Sequence, residues 1–106
     1  MSDNKIFFVN TNMKRKSNQK PPIEFKKNAE ETLLKTFGEN LKALREQKGF
    51  SQETMAFITG LSRSYYAEVE TGKRNVSLVN IIRILSSVDV EFDDLLSLNQ
   101  IKKQIK

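Results

Sequence analysis

The chain has no cysteine, no histidine and no tryptophan, and only two prolines in 106 residues. Without cysteine and histidine there can be no disulfides, thiol nucleophiles or zinc fingers. The commonest general base is missing too. Paired carboxylates remain available, but no Gly-rich phosphate loop or nucleophile elbow accompanies them, so the chain is not expected to be an enzyme, and no cofactor or metal is expected. Long apolar runs are also absent. Nothing approaches the roughly 20 residues that would span a bilayer, and the apolar tetrad Ile6-Phe7-Phe8-Val9 is too short for the core of a secretion signal. These absences point to a cytoplasmic protein with no membrane partner.

What is present is basic charge, unevenly placed. The net charge is +5. Residues 1–36 hold eight Lys/Arg against four Asp/Glu, residues 37–98 hold seven against nine, and residues 99–106 add three lysines. The ends are basic and the middle is not. A nucleic-acid-facing surface must therefore come from local clustering and from the ends, not from the overall pI.

Residues 1–28 read as a basic, flexible arm. Asn, Lys and Ser dominate Asn10 to Lys20, including Lys14-Arg15-Lys16, and Pro21-Pro22 closes the run. Such a composition buries too little surface to offset the entropy of ordering. Ile6 to Val9 is the exception, a short strand or a hydrophobic hook onto another surface. From Ala29 the pattern turns helical: Leu33, Phe37, Leu41 and Leu44 draw one apolar stripe, which predicts a helix over about Asn28 to Lys48 with Gly49 as its stop. Ser51 is placed to cap a second helix, about Gln52 to Thr59, and Ser62 a third, about Arg63 to Glu70. Gly60 lies in the turn between them, where a positive φ is needed. Ser77 caps a fourth helix carrying Leu78, Ile81, Ile82 and Leu85, Val88-Asp89-Val90 is a connector, and a fifth helix covers about Phe92 to Leu98, with Ile101 and Ile105 as a continuation. The expected organisation is an all-α, five-helix domain over residues 29–98, with 99–106 as a basic tail or helix extension.

Residues 52–69 carry the functional signal. Ala56 is small where two helices would cross closely, Gly60 permits the reversal, and Met55, Leu61, Tyr66 and Val69 are spaced to seal the angle between them. The helix that opens after Ser62 is then held by its inner face, with Arg63, Ser64, Ala67 and Glu68 turned outward. A rigid exposed helix with polar residues at its start is what major-groove reading requires.

Phe37 to Leu96 resembles the helix-turn-helix family of phage lambda repressor and Cro, the xenobiotic-response-element type. The matching residues are Leu41-x-x-Leu-Arg-x-x-x-Gly49, Phe50-Ser-Gln-Glu-x-x-Ala56, Gly60-Leu-Ser, Val69-Glu-x-Gly-Lys-Arg-Asn75 and Ser77-Leu. Within that family, Arg63-Ser64-Tyr65 and Arg74-Asn75-Val76-Ser77-Leu78 are similar to the controller proteins of restriction–modification systems. The resemblance implies a lambda-repressor-like domain. It also implies that Gln52 binds backbone phosphate, and that Arg45 and Glu70 form a structural ion pair joining the first helix to the end of the third.

The remaining DNA-facing candidates follow from position. Arg63 is the first candidate to read a base, because a guanidinium matches guanine O6 and N7. Ser62, the cap, and Ser64 are placed for a phosphate or a base. Tyr65 suits thymine methyls or a phosphate, Ala67 a thymine methyl, and Glu68 cytosine N4. Lys73, Arg74 and Asn75 suit phosphates, with a base edge also within the reach of Arg74.

Val88, Val90, Phe92, Leu95 and Leu96 are many apolar groups for a terminal segment, and any excess over the core would pair with a second subunit. Asp89, Glu91, Asp93 and Asp94 would repel phosphate and face away from a duplex. The expected function is that of a homodimeric regulator of transcription on double-stranded DNA, acting at a near-palindromic operator as a repressor or activator; activation would require a surface for RNA polymerase. An antitoxin or phage-type repressor of the same fold remains open, as does a protein-interaction module that does not bind DNA.

Overall fold

The computed structural model describes residues 21–106 and consists of six helices: α1 (Ala29–Gln47), α2 (Gln52–Thr59), α3 (Arg63–Glu70), α4 (Leu78–Val88), α5 (Phe92–Leu95) and α6 (Leu98–Lys102). The first four fall where the sequence places them, except that Val88 closes α4 instead of opening a connector. Asp89 then reverses the chain with φ 52°. The expected fifth helix is not continuous. Leu96 leaves helical geometry at φ −156°, and Ser97 starts a separate helix whose cap is reciprocal with Gln100. A capping serine inside the apolar run competes with helix continuation, because its hydroxyl accepts from the backbone N–H three residues on, that of Gln100.

The apolar stripe of α1 forms the spine of the core. Phe37 and Leu41 are buried, with Leu33 and Leu44 packed at the margins. Met55 and Ala56 from α2, Tyr66 and Val69 from α3, Ile84 and Val88 from α4, and Leu95 and Leu96 around α5 complete it. Glu30 and Glu31 in the first turn of α1 and Arg45 in the last match the helix dipole. Gly38 sits where α1 crosses the end of α3. A Cβ there would stand 2.4 Å from the carbonyl oxygens of both Val69 and Glu70. The crossing therefore brings backbone against backbone, and only glycine allows it.

The two described ends of the chain meet. Phe25 pairs with Ile105 in an isolated antiparallel bridge, Lys26 N–H donates to the Gln104 carbonyl at 2.8 Å, and Lys106 N–H donates to the Glu24 carbonyl at 2.8 Å. The Lys106 ammonium adds an ion pair to Glu24 at 3.7 Å. Ile6 to Val9 and Lys14 to Lys16 lie outside the described residues. Among the described residues no helix is long and apolar enough to cross a membrane.

Candidate nucleic-acid interface

Local sequence builds the two-helix unit. The Ser51 hydroxyl accepts from Thr54 N–H at 3.0 Å and opens α2. Gly60 ends it at φ 75°, and Leu61 N–H returns to the Ala56 carbonyl at 3.0 Å. The Ser62 hydroxyl then accepts from Tyr65 N–H at 3.2 Å and opens α3. This capping occupies Ser62 at the point where the chain enters the recognition segment.

Successive residues of a helix turn by about 100°, and α3 sorts accordingly. Tyr66, Val69 and Glu70 face inward and are buried. Ser64 lies near the centre of the opposite face with Glu68 and Ala67 beside it, while Arg63 stands on the flank nearer Glu70 and is uncovered because it opens the helix. Arg63 and Ser64 are exposed, whereas Ala67 and Glu68 are half-buried. The Arg63 side chain is 70% exposed and only touches Glu53 of α2, at 4.0 Å. An ion pair of that length in solvent is weak, so the guanidinium is free to move to another acceptor.

The next turn is tied to α3. Arg74 Nε donates to Glu68 Oε1 at 2.6 Å, and its guanidinium carbon lies 5.2 Å from the centre of the Tyr65 ring. The Tyr65 hydroxyl accepts from Asn80 Nδ2 at 3.0 Å. Tyr65, Glu68 and Arg74, expected to act on DNA separately, therefore form one layered unit. Asn80 belongs to it and was not among the sequence candidates. No local spacing signals its role, because it lies 15 residues from Tyr65 and reads simply as part of the first turn after Ser77. Lys73 and Asn75 are exposed beside this unit.

Behind α3 the Arg45–Glu70 pair is present and buried. Arg45 Nε reaches Glu70 Oε2 at 2.6 Å, Nη2 reaches Oε1 at 3.1 Å, and Nη1 donates to the Phe50 carbonyl at 2.8 Å. Gln52 Nε2 donates to Glu70 Oε1 at 2.9 Å. That bond uses one of the two amide N–H groups of Gln52 and leaves the other for an outside acceptor. Burial alone would raise the Glu70 carboxyl. The hydrogen bonds of its neighbours, Arg45 first, and the charge on Arg45 outweigh burial and hold it below the usual range. The hydrogen bond to Glu70 raises the Arg45 guanidinium further above neutrality. Burial pushes the Tyr66 phenol up, and its hydroxyl has no hydrogen-bond partner of good geometry. Among the described residues no three His, Cys, Asp or Glu side chains gather as metal ligands.

The apolar set assigned to a subunit interface divides. Val88, Leu95 and Leu96 are buried in the core, so they offer no outer surface, and that part of the expectation is corrected. Their burial follows from the short α5, which must close the open end of a small core. Val90 is half-buried and Phe92 partly exposed. Exposed apolar side chains lie elsewhere: Leu78 is 72% exposed, Val79 60% and Ile82 52%, grouped on α4, and Phe57 on α2 stands apart from them in sequence at 86%.

Residues 41–95 match the helix-turn-helix family model. The chain is 45% identical over 62 residues to the control protein C.MunI of a Mycoplasma species, a match spanning 58% of this chain and 84% of that one. It is 41% identical over 66 residues to the control protein C.BamHI of Bacillus amyloliquefaciens, spanning 61% and 82%. The fold is similar to the crystal structure of the restriction–modification controller protein C.AhdI from Aeromonas hydrophila. That match has a TM-score of 0.57 and 52% identity, and covers 59% of this chain and 96% of the other.

Proposed function

The chain belongs to the helix-turn-helix family, and on that premise we propose that it is a sequence-specific DNA-binding regulator of transcription, acting as a homodimer in the manner of a restriction–modification controller. The observation that carries this reading is α3 itself, capped at its start, tied to α1 through the Glu70–Arg45 pair, and exposed at Arg63 and Ser64. Two such helices in a symmetric dimer would enter successive major grooves about 34 Å apart and read a near-palindromic site. Gln52, Lys73, Arg74, Asn75 and the N–H groups at the start of α2 hold phosphates, and the two cations among them, doubled in a dimer, make affinity fall with salt. Asp89, Glu91, Asp93 and Asp94 stay on the side away from the duplex.

Footprinting on the DNA upstream of the chain's own gene tests the reading, with Arg63→Ala as the companion variant. The wild-type protein protects a symmetric site. The variant loses about 1–3 kcal/mol of discrimination at one base pair of each half-site, measured by competition between operator duplexes that differ at single positions. Unchanged discrimination would remove Arg63 from base reading, and a wild-type protein indifferent to every duplex at low salt would remove the whole function.

The dimer contact that goes with this reading is the outer face of α4. Leu78 and Ile82 are one turn apart, Val79 flanks them, and all three are exposed in the single chain. A contiguous apolar face of this kind gains stability when covered by a second copy. Ile82→Glu is therefore expected to fold normally and to sediment as a monomer at concentrations where the wild type is dimeric. A variant that remains dimeric would move the interface elsewhere.

A further inference from the structure

We propose that Glu68 is a positioning residue for base reading, holding Arg74 so that the Nη1 and Nη2 edge of its guanidinium meets a guanine. The inference rests on the DNA-binding reading given above and assigns within it a role to a carboxylate that would otherwise repel the duplex.

Two side chains of α3 meet one guanidinium, and a third residue, from α4, fixes one of the two. Glu68, in the last turn of α3, bonds it at Nε at 2.6 Å. The ring of Tyr65, one turn earlier, lies 5.2 Å from its central carbon. Asn80, in the first turn of α4, fixes that ring by donating to its hydroxyl at 3.0 Å. The guanidinium is thus gripped on one edge and one face.

The chemistry favours orientation over stabilisation. The side chains of Arg74 and Glu68 are 51% and 42% exposed, and an ion pair that open to solvent adds little to the stability of a fold. It does restrict a long, rotamer-rich side chain before any ligand arrives, which lowers the ordering cost of binding. Arginine has five N–H donors. The bond to Glu68 uses the one on Nε, and the four on Nη1 and Nη2 form the fork that matches guanine O6 and N7. Holding a phosphate needs no such restraint, because a mobile cation suffices. The arrangement therefore moves Arg74 out of the phosphate-holding group with Lys73 and Asn75 and makes it a second reader beside Arg63.

Two substitutions separate geometry from charge. Glu68→Ala and Glu68→Gln remove the same negative charge, but only Gln keeps an oxygen that can accept from Arg74 Nε. The probe is a pool of duplexes randomised over about two helical turns, roughly 20 base pairs, selected first with the wild-type protein and then re-bound by each variant. Both variants are expected to bind random duplex more tightly and to a similar degree. Glu68→Ala should lose about tenfold in preference for guanine at one base pair of each half-site, Glu68→Gln should keep most of that preference, and Glu68→Ala should cost nothing further in an Arg74→Ala background. Wild-type preference in Glu68→Ala would overturn the proposal. So would equal losses in Ala and Gln, or a further loss without Arg74. A wild-type protein that selects no motif would overturn the DNA-binding reading itself, an outcome visible before any variant is compared.

Discussion

Glu70→Ala is expected to lose about 3–5 kcal/mol of stability, measured by urea unfolding at neutral pH. The Glu70 side chain is 1% exposed and that of Arg45 10%. Removing the carboxylate leaves Arg45 buried with only the Phe50 carbonyl, and frees the amide of Gln52 as well. Folded domains hold only about 5–15 kcal/mol in total, so the loss is a large part of what this chain has. The Arg63–Glu53 contact gives the contrast: it is long and solvent-exposed, and breaking it should hardly move the midpoint.

The same pair sets the acid limit of the fold. The Glu70 carboxyl is held below its ordinary value of 4.5 in the folded chain. A depressed carboxylate binds fewer protons folded than unfolded, so its contribution is fully present above the unfolded value and is lost as pH falls through the folded one. The Glu70 contribution to thermal stability should therefore be full and independent of pH at neutral pH, and should slope downward as pH falls below about 4.5. Glu70→Gln should flatten that part of the slope. An unchanged acid profile in the Gln variant would show that other carboxylates govern it.

Gly38→Ala is expected to destabilise by about 2 kcal/mol or more, even though alanine is the better helix former. In an exposed helix the exchange would gain roughly 1 kcal/mol. Here the new Cβ would meet two carbonyl oxygens at 2.4 Å, where contacts below 3.0 Å force something to move. The obstacle is backbone, which cannot rotate aside, and overpacking of this kind costs about 1–3 kcal/mol and occasionally more. Gly72 marks the other side of the same crossing. It has φ 76°, and a Cβ on it would stand 2.8 Å from the Lys35 Cα. A Gly38→Ala protein as stable as wild type would mean that α1 can slide along α3 at no cost, and the rigid bracing of α3 would no longer follow.

Much of this was legible in the sequence. The bounds of α2 and α3 follow from Ser51, Gly60 and Ser62, because capping and a positive φ act through near neighbours. The core follows from the stripe Leu33, Phe37, Leu41 and Leu44, because helical periodicity is also local. Less local features were missed. Nothing around Gly38 distinguishes it from an ordinary weak helix position until the carbonyls of α3 are placed against it. The Glu68–Arg74 bond and the Asn80–Tyr65 bond need the turn after α3 to fold back on the helix, and residue spacing does not report that. The interface expectation failed at Val88, Leu95 and Leu96 for the opposite reason: apolar composition says that a residue is covered, not by what. At Ser97 the apolar spacing runs on across the capping serine, so periodicity alone does not show the break.

The clasp between residues 24–26 and 104–106 holds together two backbone stretches that are far apart in sequence. The backbone of Lys26 is bonded to that of Gln104 and the backbone of Lys106 to that of Glu24, so two lysine-bearing stretches separated by most of the sequence share one strand-like contact. In a chain shortened to begin at Glu24, joining Lys106 to that residue through a few added residues would close the backbone into a ring without disturbing a helix. New ends could then be opened elsewhere, such as the exposed turn at Lys48–Gly49.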